Sequence, residues 1–124
     1  MQSILIVDDM ESIQEMLDAI IQPFGHETDF ASSGEEALAK FGEKRHDIVL
    51  TDISMQPMGG TELLKQIKAI DPNVIVIMMS GFANVDNAME SLKHGAFDFL
   101  TKPFKVDQLM NALNRASAKL NLTK

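Results

Sequence analysis

Asp8 and Asp9 stand immediately after the apolar run ILIV, Asp52 closes IVLTD, Ser80 and Gly81 follow VIVIMM, and Thr101, Lys102 and Pro103 follow FDFL. Each of these polar residues falls where an apolar run of strand length stops. Taken singly they have ordinary explanations: aspartate caps helices and makes turns, Ser-Gly is a turn pair, and lysine is most often a solvated charge. Taken together they are three carboxylates, a hydroxyl and an ammonium. At an effective dielectric near 20, two carboxylates ~5 Å apart repel by about 3 kcal/mol, so a pocket that gathers them requires positive charge. Lys102 supplies one, and a hard divalent cation with oxygen ligands would supply the rest. Mg²⁺ suits that set because it accepts one or two carboxylates, keeps several waters and recruits phosphate oxygens. Zinc does not, because His26, His46 and His94 are scattered and the chain has no cysteine.

Whether these residues meet depends on the elements that carry them. Strand-like runs lie at 4–7, 48–50 and 74–79, with weaker ones at 26–31 and 97–100. Between them the apolar period becomes helical: Ile13, Met16, Leu17 and Ile20; Ala37, Leu38 and Phe41; Leu63, Leu64, Ile67 and Ile70; Val85, Ala88, Met89 and Leu92; Val106, Leu109, Met110 and Leu113. Each set reads as a core-facing stripe. Pro23 and Gly25 punctuate the end of the first helix, Ser33 with Glu36 forms a capping box for the second, Pro72 follows the third, and Gly95 sits where a left-handed cap ends the fourth. Strict β, α alternation predicts a parallel sheet covered by helices on both faces. The runs that are apolar throughout belong in its centre, and the charged second and fifth strands at its edges. All carboxyl ends of parallel strands share one edge, which is where open α/β folds hold their ligands. The polar residues above would therefore converge from four separate parts of the chain.

The 124 residues suffice for one domain with a single core, and no repeat, low-complexity tract or linker divides 1–124. Residues 119–124 are expected to fray. Eighteen acidic residues against eleven basic ones give a net charge of −7, which disfavours nucleic acid or an anionic membrane as partner of this chain. The absence of cysteine removes disulfides and a thiol nucleophile. No apolar run approaches the ~20 residues of a membrane span, and the N-terminus lacks a basic start. A soluble, cytoplasmic protein is expected.

The segments LIVDD, IVLTDISM, IMMSG and FLTKPF, in this order and spacing, resemble the receiver (CheY-like) domain of two-component response regulators over essentially the whole chain. The resemblance implies a doubly wound, flavodoxin-like (βα)5 domain with strand order 2-1-3-4-5. It makes Asp52 the phosphoryl acceptor, with Asp9 as a direct Mg²⁺ ligand, Asp8 acting largely through water, and Asp52 and the Ser54 carbonyl completing the protein ligands; Mn²⁺ could replace Mg²⁺. Lys102 would contact the incoming phosphoryl oxygens, Ser80 would be the switch hydroxyl, and Phe99 the switch aromatic. The Lys102–Pro103 peptide is expected to be cis, as X-Pro alone allows at low cost. Phosphorylation would then shift a face made of helix 83–94, strand 97–100 and helix 105–120.

The implied partners are a histidine kinase or histidine phosphotransfer protein as donor and a downstream protein or fused output domain as target, with the chain monomeric or dimerising on phosphorylation. It would be a signalling module that catalyses its own modification only, not an enzyme acting on an external substrate. The stretch SGFANVDNAMESLKHGAFDFLTKPF is similar to receivers of nitrogen-regulation activators, which makes the receiver part of a longer DNA-binding transcription activator the alternative reading. Two departures stand out. The proline usual four residues after the acceptor is Gln56 here, with Pro57 one place later, so the Ser54 loop is expected to run differently. Phe82 cannot orient a water by hydrogen bonding, which together with Ser54 implies slow self-hydrolysis of the acyl phosphate. A competing class, Mg²⁺ phosphatases of the aspartyl-phosphate kind, wants an aspartate two residues after the nucleophile, where this chain has Ser54. A degenerate scaffold would lack the acceptor or the lysine, and both are present.

Overall fold

The computed structural model describes residues 2–55, 57–81 and 85–122, the side chains of 85–88 and 122 excepted. Five strands alternate with five helices: β1 (Ser3–Val7), α1 (Glu11–Ile21), β2 (Glu27–Ala31), α2 (Gly34–Glu43), β3 (Ile48–Asp52), α3 (Gly60–Ile70), β4 (Ile75–Ser80), α4 (Val85–Lys93), β5 (Asp98–Thr101) and α5 (Val106–Leu122). The sheet order is β2-β1-β3-β4-β5 and every pairing is parallel. The wholly apolar strands occupy the centre and the charged ones the edges, as their composition predicts.

Successive residues of a strand face opposite sides, and the core divides accordingly. Ile4, Ile6, Leu50 and Ile77 pack with Leu17 of α1 and Leu109 and Leu113 of α5. Leu5, Val7, Val49 and Val76 pack with Phe41 of α2 and Leu63 and Leu64 of α3. Central strands covered on both sides must be apolar at every position, which explains why β1, β3 and β4 read as unbroken runs. No helix among the described residues is long and apolar enough to cross a membrane.

The punctuation works largely as expected. Gly25 (φ 85°) follows a short 3-10 turn containing Pro23, and Gly95 (φ 103°) ends α4, both in the left-handed region that favours glycine. The Glu36 amide donates to Ser33 Oγ at 3.1 Å, but the returning Glu36 carboxylate takes the amide of Ser32, one residue earlier than a capping box requires. α5 continues to Leu122, beyond the expected fraying point at 119.

The helical stripes do not all face the core. α1 buries Gln14, Leu17 and Ile21, with Ile13 and Ile20 partly covered and Met16 exposed. Ile70, Met89, Leu92 and Val106 also face outward, and Ser91 is buried in α4; the side chains of Val85 and Ala88 lie outside the described residues. A helix presents several apolar residues per turn, and which of them meets the sheet is set by tertiary packing that periodicity alone does not encode.

Candidate functional site

β1 ends at Val7 and β3 at Asp52, neighbours in the sheet, so Asp8 and Asp52 emerge side by side at its carboxyl edge. Asp8 is fully buried and Asp52 is 8% exposed, whereas Asp9 faces solvent. The two buried carboxylates are held by one device used twice. Met10 N–H donates to Asp8 Oδ1 at 2.9 Å and Ser54 N–H donates to Asp52 Oδ1 at 3.0 Å, each the amide two residues further on. The helix-cap explanation for the acidic pair fails here, because the N-cap of α1 is Met10.

Both remaining oxygens turn toward one ammonium. Lys102 Nζ lies 2.8 Å from Asp8 Oδ2 and 3.3 Å from Asp52 Oδ2. Its own amide donates to the Ser80 carbonyl at 2.7 Å, which ties the residue after β5 to the end of β4. Burial pulls the Lys102 ammonium down, but the Asp8 hydrogen bond and the charges of Asp52 and Asp8 outweigh it and hold its pKa above the ordinary 10.5. The lysine therefore stays charged throughout the neutral range. The Lys102–Pro103 peptide is cis, as expected.

Asp8, Asp9 and Asp52 each offer an oxygen within 4.8 Å of the others. Three carboxylates against one ammonium leave a local excess of two negative charges, and every donor is a hard oxygen. This donor set fits a divalent cation such as Mg²⁺ and does not fit zinc.

Ser80 is fully buried as the last residue of β4 and pairs in register with Thr101. Phe99 is half-buried on β5, opposite Met78, packed against the α2–α3 side of the core. Of the two departures noted in the sequence, Gln56 and Phe82 lie outside the described residues, and Pro57 is exposed. Met55 is buried in the core and Met58 packs against it, so both anchor the β3–α3 loop.

Gly60 was not singled out by sequence, although it stands in a Gly59–Gly60 pair. Its amide donates to the Ile53 carbonyl at 3.0 Å, and an added Cβ would lie 2.7 Å from Ile53 Cα and closer still to the Asp52 carbonyl oxygen. Only glycine lets the start of α3 press so tightly under the end of β3. Beside Lys102 opens an apolar cleft of about 420 Å³, lined by Ile13, Met16, Gly81, Pro103 and Phe104.

The chain is similar to known proteins along nearly its whole length. A family model described as "Response regulator receiver domain" matches residues 4–114. The chain is 42% identical over 120 residues to the transcriptional regulatory protein ZraR of Klebsiella oxytoca, covering 97% of this chain and 27% of that protein. It is 40% identical over 115 residues to the chemotaxis protein CheY of Thermotoga maritima, covering 92% and 96%. A crystal structure of a response regulator receiver domain protein from Clostridium thermocellum superposes with a TM-score of 0.94 at 34% identity and complete coverage of both chains. The chain spans about a quarter of the length of the ZraR relatives it matches.

Proposed function

Because the chain belongs to the response regulator receiver domain family, we propose that within its phosphorelay role Asp52 is the residue that accepts the phosphoryl group, with Asp8, Asp9, Asp52 and the Ser54 carbonyl holding Mg²⁺. The observation that carries this reading is the shared ammonium: Lys102 bonds both Asp8 and Asp52. Asp52 is the member of the acidic set whose carboxylate is fixed by its own loop yet retains some exposure, so it can be approached in line. Asp8 is sealed, and Asp9 is exposed.

The Asp52 carboxylate attacks the phosphorus of the donor's phosphohistidine, the bond to the histidine nitrogen breaks, and an acyl phosphate forms. Lys102 exchanges part of its contact with Asp52 for the equatorial oxygens of the arriving group. Bound Mg²⁺ supplies further neutralisation of the charge on those oxygens. The chain itself contributes position and electrostatics. A histidine kinase or phosphotransfer protein is the donor in this reading, and the apolar cleft beside Lys102 gives it a surface next to the acceptor.

The product places a dianionic group at the end of β3, close to where β4 delivers Ser80 and β5 delivers Lys102. The new acceptor oxygens draw the Ser80 hydroxyl, and Phe99 repacks with it, so the α4–β5–α5 face carries the signal to a downstream protein or fused output domain. The similarity to ZraR, a transcriptional regulatory protein about four times as long as the matched segment, supports an output domain in a longer regulator. The near-complete match to CheY supports a stand-alone module.

Intact mass after incubation with acetyl phosphate tests this reading. One phosphoryl adduct that depends on Mg²⁺ and is missing from Asp52→Asn is expected; equal adducts on both proteins would refute it. The adduct should decay slowly, given Phe82, and a lifetime of seconds would contradict that part.

A further inference from the structure

α1 buries an amide where its stripe is otherwise apolar: Gln14 precedes Leu17 and Ile21 on the covered face and is 8% exposed. Burying a carboxamide is unfavourable unless its hydrogen bonds are met. Gln14 Nε2 donates to the Asp8 carbonyl at 2.7 Å and approaches the Ala31 carbonyl at 3.2 Å and Ser32 Oγ at 3.3 Å. These acceptors belong to the two places where β1 and β2 give out. The Asp8 amide makes the last bond across that ladder, to Ala31 O at 3.1 Å, and beyond it the Asp8 carbonyl has no strand opposite. The Gln14 side chain takes that position.

The Asp8 carbonyl is half of the peptide unit joining Asp8 to Asp9. Fixing it restrains the plane of that peptide, which joins the two α-carbons that carry the consecutive carboxylates. We propose that Gln14 is a positioning residue for cation binding: its carboxamide clamps the Asp8–Asp9 peptide to the end of β2 and so restrains the backbone from which both carboxylates reach the ion. This inference rests on the Mg²⁺ site described above. Partners that orient metal ligands from behind commonly change affinity by about 10- to 100-fold when removed.

The test titrates Mn²⁺ into the unphosphorylated protein, reading free ion by electron paramagnetic resonance, for wild type, Gln14→Met and Leu17→Ala. Methionine keeps the length of Gln14 without the amide, and Leu17→Ala opens a cavity on the same buried stripe. Gln14→Met is expected to weaken binding about tenfold, while Leu17→Ala lowers the thermal midpoint and leaves affinity within about twofold of wild type. Acetyl phosphate labelling of Gln14→Met should recover at saturating metal, since positioning acts on affinity rather than on the acceptor. Wild-type affinity in Gln14→Met, or equal weakening in Leu17→Ala, would overturn the proposal. Should Gln14→Met lose the folded state, Gln14→Asn, which keeps the amide but shortens its reach, carries the same two outcomes. A wild type that binds no Mn²⁺ would remove the metal site itself, a result distinct from both.

Discussion

At Lys102 one ammonium balances two carboxylates from strands 50 and 94 residues away in sequence. Removing it would leave Asp8 fully buried, beside two other acids, with no counter-charge among the described residues. Breaking a fully buried pair costs roughly 3–5 kcal/mol; Lys102 is one-fifth exposed, so Lys102→Met should lower stability by about 2 kcal/mol in metal-free buffer. Mg²⁺ should restore the greater part, and should stabilise this variant more than wild type. Chemical denaturation with and without Mg²⁺ reads both, and unchanged stability in metal-free buffer would show that the lysine does not compensate the acids. Asp8, Asp9, Asp52 and Lys102 were legible because each ends or follows an apolar run, and parallel topology makes such ends converge. Gly60 and Gln14 were not, since their importance lies in what approaches them, the Asp52 carbonyl in one case and the Asp8 carbonyl in the other. A sequence records residue types and spacing; close approach of backbones from different elements is a tertiary fact.

At the scale of elements, β2 shows how an edge strand is secured without an apolar sequence. Asp29 receives His46 Nε2 at 3.2 Å and Lys40 Nζ at 3.3 Å, and Lys40 also bonds the Phe30 carbonyl. Burial pushes the Asp29 carboxyl up, but the His46 bond, the Phe30 amide and Lys40 outweigh it and hold its pKa below the ordinary 3.8. A carboxyl whose folded pKa lies below its unfolded value contributes stability above the unfolded value, and that contribution vanishes as pH falls through the folded one. The loss therefore falls below about pH 4. Asp29→Asn should lower the thermal midpoint at pH 7 and narrow the gap between the midpoints at pH 7 and pH 3; a gap equal to wild type would contradict the pairing. The existence and order of elements were readable because strand and helix periods differ sharply. Helix orientation was less so: Met89, Leu92 and Val106 belong to apolar stripes yet face out, while Gln14 and Ser91 are polar and face in.

For the molecule as a whole, the sheet brings the ends of four strands, β1, β3, β4 and β5, to one acidic pocket at one edge, and the signal proposed to leave it travels through β4 and β5 to the α4–β5–α5 face. The strand order came from the family resemblance, since alternation alone distinguishes centre from edge but does not order the strands. In the proposed function, convergence and not any single motif makes Asp52 the reactive carboxylate. The most direct measurement is borohydride trapping after acetyl phosphate treatment, followed by peptide mapping, because reduction of an aspartyl phosphate leaves homoserine at the modified position. Homoserine at position 52 alone, dependent on Mg²⁺, is the expected result. Homoserine at position 8 or 9, or at position 52 to the same extent without divalent metal, would contradict it.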